Sequence, residues 1–288
     1  MFVIILKGCD ILKKKRRIKW KNVFLALFIL ILIITLIISS INIIRWLIDS
    51  KNTKDEIINI EKETSIVEIE DSNNTEVINT EPEKIEKENP YWDYIKMNLI
   101  DVDFNELKQK NNETVGWIKV NGTNVNYPFV QTKNNDFYLT HSFDKSYNKS
   151  GWVFMDYRNN KNEFDKNTII YAHGRMNSTM FGSLRKVLTN GWLDNTNNHV
   201  IKLSTEIENT LWQVFSVYVI PTTNDYIQVN FNNNEEFLEF GNKLLNRSNF
   251  DFKTSINKND KILTLSTCYN DDKKTVLHAK LIKREKKD

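Results

Sequence analysis

The chain has 288 residues, 40% of them hydrophobic and 27% charged, with two cysteines and a formal net charge of +3. That charge is uneven: residues 1–22 hold eight Lys/Arg against one acid, the remainder sums to −4, and nucleic acid is therefore not an expected partner. No phosphate-binding glycine loop, dinucleotide fingerprint, Cys-x-x-Cys or His-Glu-x-x-His occurs, so metal and nucleotide chemistry lack support and no cofactor is expected.

In chain order, the basic cluster from Lys13 to Lys21 precedes an uncharged apolar run, Val23 to Ile44. As a helix that run extends roughly 33 Å, enough to cross a bilayer. The residues after it mix both signs, so the positive-inside rule predicts a single-pass cell-membrane anchor: a cytoplasmic tip (1–22), a transmembrane helix (23–44) and an extracellular remainder. The apolar run is too long for a signal peptide, and Ser39-Ser40-Ile41 is a poor cleavage site. From Asp49 to Asn89 there is no aromatic residue and no glycine, and thirteen acids face five bases. A flexible acidic stalk is predicted over 45–89, with at most weak helix around Thr53 to Glu70.

Residues 90–288 read as one domain, because the aromatics return and roughly 195 residues suffice for a sizeable core. Tyr91, Trp92, Ile95 and Leu99 fall near helical spacing, and Asp103 can cap a short helix carrying Phe104 and Leu107. Runs rich in β-branched and aromatic residues predict strands at Gly116–Val120, Val125–Val130, Gly151–Met155, Thr168–Ala172, His199–Leu203, Thr210–Ile220, Ile262–Thr267 and Thr275–Lys283. A short helix is expected over Met180 to Leu188. Asn234, followed by two acids and by Phe237, Phe240, Leu244 and Leu245, predicts a capped amphipathic helix between strands. The fold class is mostly β, a barrel or sandwich.

Cys268 ends the run Thr-Leu-Ser-Thr-Cys. Cys9 lies on the predicted cytoplasmic side, so the two cannot pair, and a lone exported thiol risks oxidation with no disulfide to gain. A cysteine kept for chemistry needs a base or cation nearby. His173 follows the strand Thr168–Ala172 just as Cys268 follows Ile262–Thr267, and if those strands are neighbours both side chains emerge at one rim. The other reading of His173 is a loop histidine packed on Tyr171. His278 reads as a face residue within a strand, and His141 and His199 as solvated.

The segments TLSTC, YAHG, VFSVY with DYI, VGWIKVNGTNVNYPFVQTKNNDFYL and GWVFMDYRN resemble the sortases, and within them class B, over about Phe104 to Ile282. The resemblance implies an eight-stranded β-barrel with N-terminal helices and a helix inserted before the cysteine strand. It also implies a cysteine transpeptidase whose first half-reaction is that of a thiol endopeptidase. Cys268 would attack the Thr carbonyl in the C-terminal sorting motif of a secreted protein, and His173 would protonate the departing amine. An amine of the peptidoglycan cross-bridge would then resolve the thioacyl enzyme. Asn135 and Leu139 align with groove residues of the family, and Thr222, Tyr226 and Ile227 match the segment that covers the sorting peptide. Ser266, two residues before Cys268 on one strand, is expected on the same face.

Sortases carry an arginine on the strand after the cysteine, and aligning TVLHAKL with that strand puts Lys274 in its place. Lysine keeps the charge but loses the planar two-pronged donor. Direct replacement by Lys274 is the expectation, and Lys273 or Arg175 reaching the site are alternatives. Other readings of the whole chain are a pilin-polymerising sortase and a weakly active or inactive module that binds C-terminal peptides.

Overall fold

The computed structural model describes residues 19–78, 90–268 and 273–287. The segment before Lys19, with Cys9, the end of the expected stalk at 79–89 and residues 269–272 of the loop after Cys268 lie outside the described residues. The chain divides into two units, Met1–Leu47 and Ile48–Asp288.

The first helix, α1, runs from Trp20 to Glu63. Large apolar side chains from Phe24 to Ile44 are exposed along it, and among the described residues it is the one helix long and apolar enough to cross a membrane. It is a candidate anchor containing the expected span. After it come β1 (Ile66–Ile69), β2 (Thr75–Val77), α2 (Tyr91–Tyr94), β3 (Leu99–Val102) and α3 (Asn105–Lys110). Strands β4 (Thr114–Val120), β5 (Asn126–Val130), β6 (Phe154–Met155) and β7 (Asn167–His173) follow. Beyond a 3-10 helix at Phe181–Leu188 lie α4 (Asn190–Leu193), β8 (Val200–Thr205), β9 (Glu208–Pro221), α5 (Asn234–Asn246), β10 (Ile262–Cys268) and β11 (Lys273–Lys286).

Eight of these strands close a ring in the order β10-β7-β6-β5-β4-β8-β9-β11, and β11 pairs again with β10. Closure leaves no open sheet edge in the ring. Only β10–β7 and β5–β6 are parallel. The interior is filled by large side chains such as Trp117, Trp152, Trp212 and Phe129. Long strands read as continuous apolar runs because their outer faces are also covered. Phe237, Phe240 and Leu244 of α5 pack with Phe215, Tyr218, Ile262 and Val276, and Tyr91 and Tyr94 of α2 pack with Val200, Leu211 and Ile282.

Local differences from expectation have physical causes. The helix at Tyr91 stops at Tyr94, because Leu99–Val102 is taken up as a strand by β1. Asn233, not Asn234, caps α5, its side chain accepting the Glu236 N–H at 2.8 Å. The strand expected at Gly151–Met155 shrinks to two residues, since Gly151 sits at φ +62° with the Tyr138 carbonyl where a Cβ would be.

The flexible-stalk expectation is corrected over residues 48–78. Ser50, Thr53, Ile57 and Ile60 recur at helical spacing on the last turns of α1 and are buried or partly buried. Asn148 Nδ2 donates to Thr53 Oγ1 at 3.0 Å, and the Asp144 N–H donates to Glu56 at 3.0 Å. Next, β1 pairs with β3 and β2 with β11. The acids that suggested mutual repulsion instead meet bases of α3 and the barrel: Glu63 with Lys110, Glu68 with Lys202 at 2.9 Å, Asp71 with Lys283 at 2.6 Å and Glu76 with Arg284 at 2.8 Å. Lys283 is fully buried, and a buried ammonium is tolerated only with such a partner.

Candidate active site

His173 closes β7, Cys268 closes β10 and Lys274 lies at the start of β11. The backbone register sets Cys268 level with His173 across the parallel pair and with Lys274 across the antiparallel one. Neighbouring strands lie about 4.8 Å apart, so the three positions meet at one rim of the barrel.

The half-buried His173 ring is fixed from behind. Its Nε2 lies 2.8 Å from the Leu139 carbonyl oxygen, and because a carbonyl only accepts, Nε2 carries the hydrogen. In the neutral ring Nδ1 is then the acceptor. Gly151 makes room for this: a Cβ there would stand 2.4 Å from the Tyr138 oxygen, 3.0 Å from the Leu139 oxygen and 3.1 Å from His173 Cδ2.

Beside the rim is a cavity of about 200 Å³ with a largely apolar wall. Asn135, Leu139, Thr222, Tyr226, Ile227 and Ser266 all line it, so the structure brings together every substrate-binding residue expected from the sequence. Lys274 lines it too and is, among the described lining residues, the cation. Lys273 is exposed, and the half-buried Arg175 interacts with the Asp49 carboxylate. Of the three cations considered, Lys274 is the one that reaches the cavity.

The floor follows from register: Phe154, Tyr171 and Ser266 pair side by side across β6, β7 and β10, two residues below the His173–Cys268 rung. Tyr171 thus forms the groove rather than a packing partner alone. The segment from Thr222 to Ile227 is pinned at both faces. Tyr226 OH and Ser266 Oγ are hydrogen-bonded at 2.9 Å on the inner side. On the outer side Arg247 and Lys243 pair with Asp225, and the Arg247 hydrogen bonds hold that carboxyl well below the usual range.

Asp156 and Arg158 were missed as site residues. The fully buried Asp156 carboxylate accepts from Arg158, Tyr171 OH and Asn135 Nδ2. Burial pushes its pKa up, but the hydrogen bonds from Arg158 and Tyr171 outweigh burial and hold it below the ordinary value. The sequence signal was the D-x-R spacing directly after the strand Phe154–Met155.

The remaining histidines lie elsewhere. His199, expected to be solvated, is buried against Trp192 and Phe252, with ring centroids 5.0 and 4.9 Å away. His141, also expected to be solvated, is partly buried, stacked on Phe137. His278 is the expected face residue, buried between Tyr218 OH at 2.8 Å and Thr264 Oγ1 at 2.9 Å. A larger open cavity, about 570 Å³, lies between Asn52–Ile60 of α1 and residues 142–148 and contains none of the expected site residues. Among the described residues no His, Cys, Asp and Glu group forms a metal site.

Comparison with known proteins agrees with this geometry. The Sortase domain family matches residues 118–282. Sortase B of Staphylococcus aureus is 34% identical over 184 residues, covering 62% of this chain and 75% of that protein. Among solved structures, sortase B from B. anthracis in complex with AAEK1 aligns at TM-score 0.64 with 30% identity, covering 82% of this chain and 99% of that one. A Staphylococcus aureus sortase B–substrate complex aligns at TM-score 0.59 with 34% identity, covering 62% and 84%. With the family match spanning more than half the chain and a closed eight-stranded barrel carrying the cysteine and histidine strands side by side, the chain belongs to the sortase family of cysteine transpeptidases, in class B.

Proposed function

We propose that the protein is a membrane-anchored transpeptidase that cleaves a C-terminal sorting motif after Thr and joins the upstream protein to an amine of the peptidoglycan cross-bridge. The observation that carries this reading is the rung His173–Cys268–Lys274 at the mouth of a largely apolar cavity of about 200 Å³. In the first half-reaction the Cys268 thiolate adds to the Thr carbonyl, the peptide C–N bond breaks, and the leaving amine takes a proton from His173. With Nε2–H held on Leu139, the proton that moves is the one on Nδ1. In the second, the acceptor amine attacks the thioester, gives up a proton to His173 and expels the thiolate.

Lys274 supplies positive charge where the oxyanion develops. The likeness to a sortase B solved with its substrate supports a peptide ligand, and the candidate anchor helix supports action at the outer face of the membrane. The decisive experiment incubates the protein with a fluorogenic peptide spanning the sorting motif of a co-encoded secreted protein, with and without amine acceptors, and traps the Cys268 adduct by mass. A thioacyl adduct released by a cross-bridge amine is the expected result. Faster release by a pilin lysine would make the protein a pilin polymerase. Binding with no adduct would make it a peptide-binding module.

A further inference from the structure

Asp156 follows β6, is fully buried and stands behind the residues that line the peptide cavity. Its Oδ1 accepts from Arg158 N–H and Nε–H, both at 2.9 Å. Its Oδ2 accepts from Arg158 Nη2 at 2.6 Å, Tyr171 OH at 2.9 Å and Asn135 Nδ2 at 3.1 Å. Every partner is a donor, a set that an ionised carboxylate satisfies and an amide does not.

These bonds reach the cavity wall along three separate stretches of chain. Tyr171 belongs to β7. Asn135 lies in the loop after β5, and its orientation is decided: Oδ1 accepts the Tyr157 N–H at 3.0 Å, so the carboxamide nitrogen is the atom turned to Asp156. One Nδ2 hydrogen serves Asp156, which leaves the second as a donor on a residue that lines the cavity. The third stretch is the covering segment, whose Ile227 carbonyl accepts from Arg158 Nη2 at 3.1 Å.

The geometry points to Asp156 as a positioning residue. It fixes the Asn135 carboxamide, the Tyr171 phenol and, through Arg158, the Ile227 backbone, so that the groove's width and donor pattern are set before the peptide arrives. This rests on the reading above that the cavity receives a sorting peptide, and binding is therefore measured apart from catalysis.

The test uses the full chain and a fluorescein-labelled peptide spanning the sorting motif of a co-encoded secreted protein. In a Cys268→Ala background, Asp156→Asn weakens peptide binding by anisotropy about tenfold or more. In the otherwise native chain it raises KM by a similar factor and leaves kcat within about threefold. In an Asn135→Ala background the same substitution raises KM by a smaller factor than in the native chain, because one of its three routes to the cavity wall is already gone. Arg158→Lys keeps the charge while losing the two-pronged contact and the reach to Ile227, so it guards against a folding defect in Asp156→Asn and raises KM with circular dichroism unchanged. Native binding and KM in a folded Asp156→Asn or Arg158→Lys chain, or full additivity with Asn135→Ala, would overturn the inference while thioacyl formation proceeds normally. Peptide binding that weakens in both variants, in a chain that forms no thioacyl adduct, would overturn the transpeptidase reading and uphold the positioning role.

Discussion

The His173 imidazole and the Leu139 backbone are joined by one hydrogen bond of 2.8 Å, and Leu139 also lines the cavity beside the rim. On the proposed function, the segment that would receive substrate is the one that holds the ring.

Gly151 tests that coupling. Gly151→Ala forces a Cβ into the Tyr138 and Leu139 carbonyls at a left-handed backbone position, which costs about 1–3 kcal/mol. Thermal denaturation should register the loss, and single-turnover acylation should fall at least tenfold as the ring shifts. An unchanged acylation rate would mean that the Leu139 carbonyl does not govern the ring.

Lys274 stands in the cavity wall on the cysteine rung. Lys274→Ala should lower acyl-enzyme formation by about 10²–10³, the range for losing one oxyanion donor. Lys274→Arg should match or exceed the native rate, because the guanidinium adds a second donor. Native rates in the alanine variant, read in a rapid-quench experiment, would remove Lys274 from the mechanism.

Ser266 and Tyr226 tie the covering segment to β10 by a buried bond of 2.9 Å. Ser266→Ala and Tyr226→Phe should each cost about 1 kcal/mol in denaturant unfolding and raise KM a few-fold. The double variant should cost little more than either single one, since both delete the same bond. Strict additivity would show that the two residues act independently.

His278 is wholly buried, and burial, with a smaller contribution from the Arg247 charge, pushes its pKa down to about 3. Unfolded, it takes up a proton near pH 6.5. Between those values the unfolded chain binds more protons, so this group's contribution is complete above pH 6.5 and declines as pH falls toward 3. From pH 7.5 to pH 5 the native chain should lose about 2 kcal/mol more than His278→Gln does. Equal losses in the two proteins would place the titrating group elsewhere.

Much of the barrel was readable because its strands are long enough to show a pattern. The runs ending at His173 and Cys268 are rich in Ile and Leu and buried along nearly their whole length, and each stops at a residue with chemistry. What failed to show did so for a reason. Strands β1 and β2 are four and three residues long, and they persist by pairing with β3 and β11 and by matching Glu68 to Lys202 and Glu76 to Arg284, none of which is local. Buried His199 looked solvated because its polar neighbours in sequence are not its neighbours in space. For Asp156 the D-x-R spacing was the one local sign, and a weak one, since a carboxylate among loop residues is ordinarily hydrated and only the fold brings Asn135 and Tyr171 to it.

Strand β10 fills the last place in the ring, between β7 and β11, and its pairing with β7 is what sets Cys268 beside His173. A chain emerging from its N-terminus holds His173 long before Cys268 has been made, and contacts between such distant segments form late in folding. Sealing the barrel and bringing Cys268 level with His173 are thus a single event. In an incompletely folded molecule the two positions lie apart, so on the proposed function the protein arms itself only when its architecture is finished.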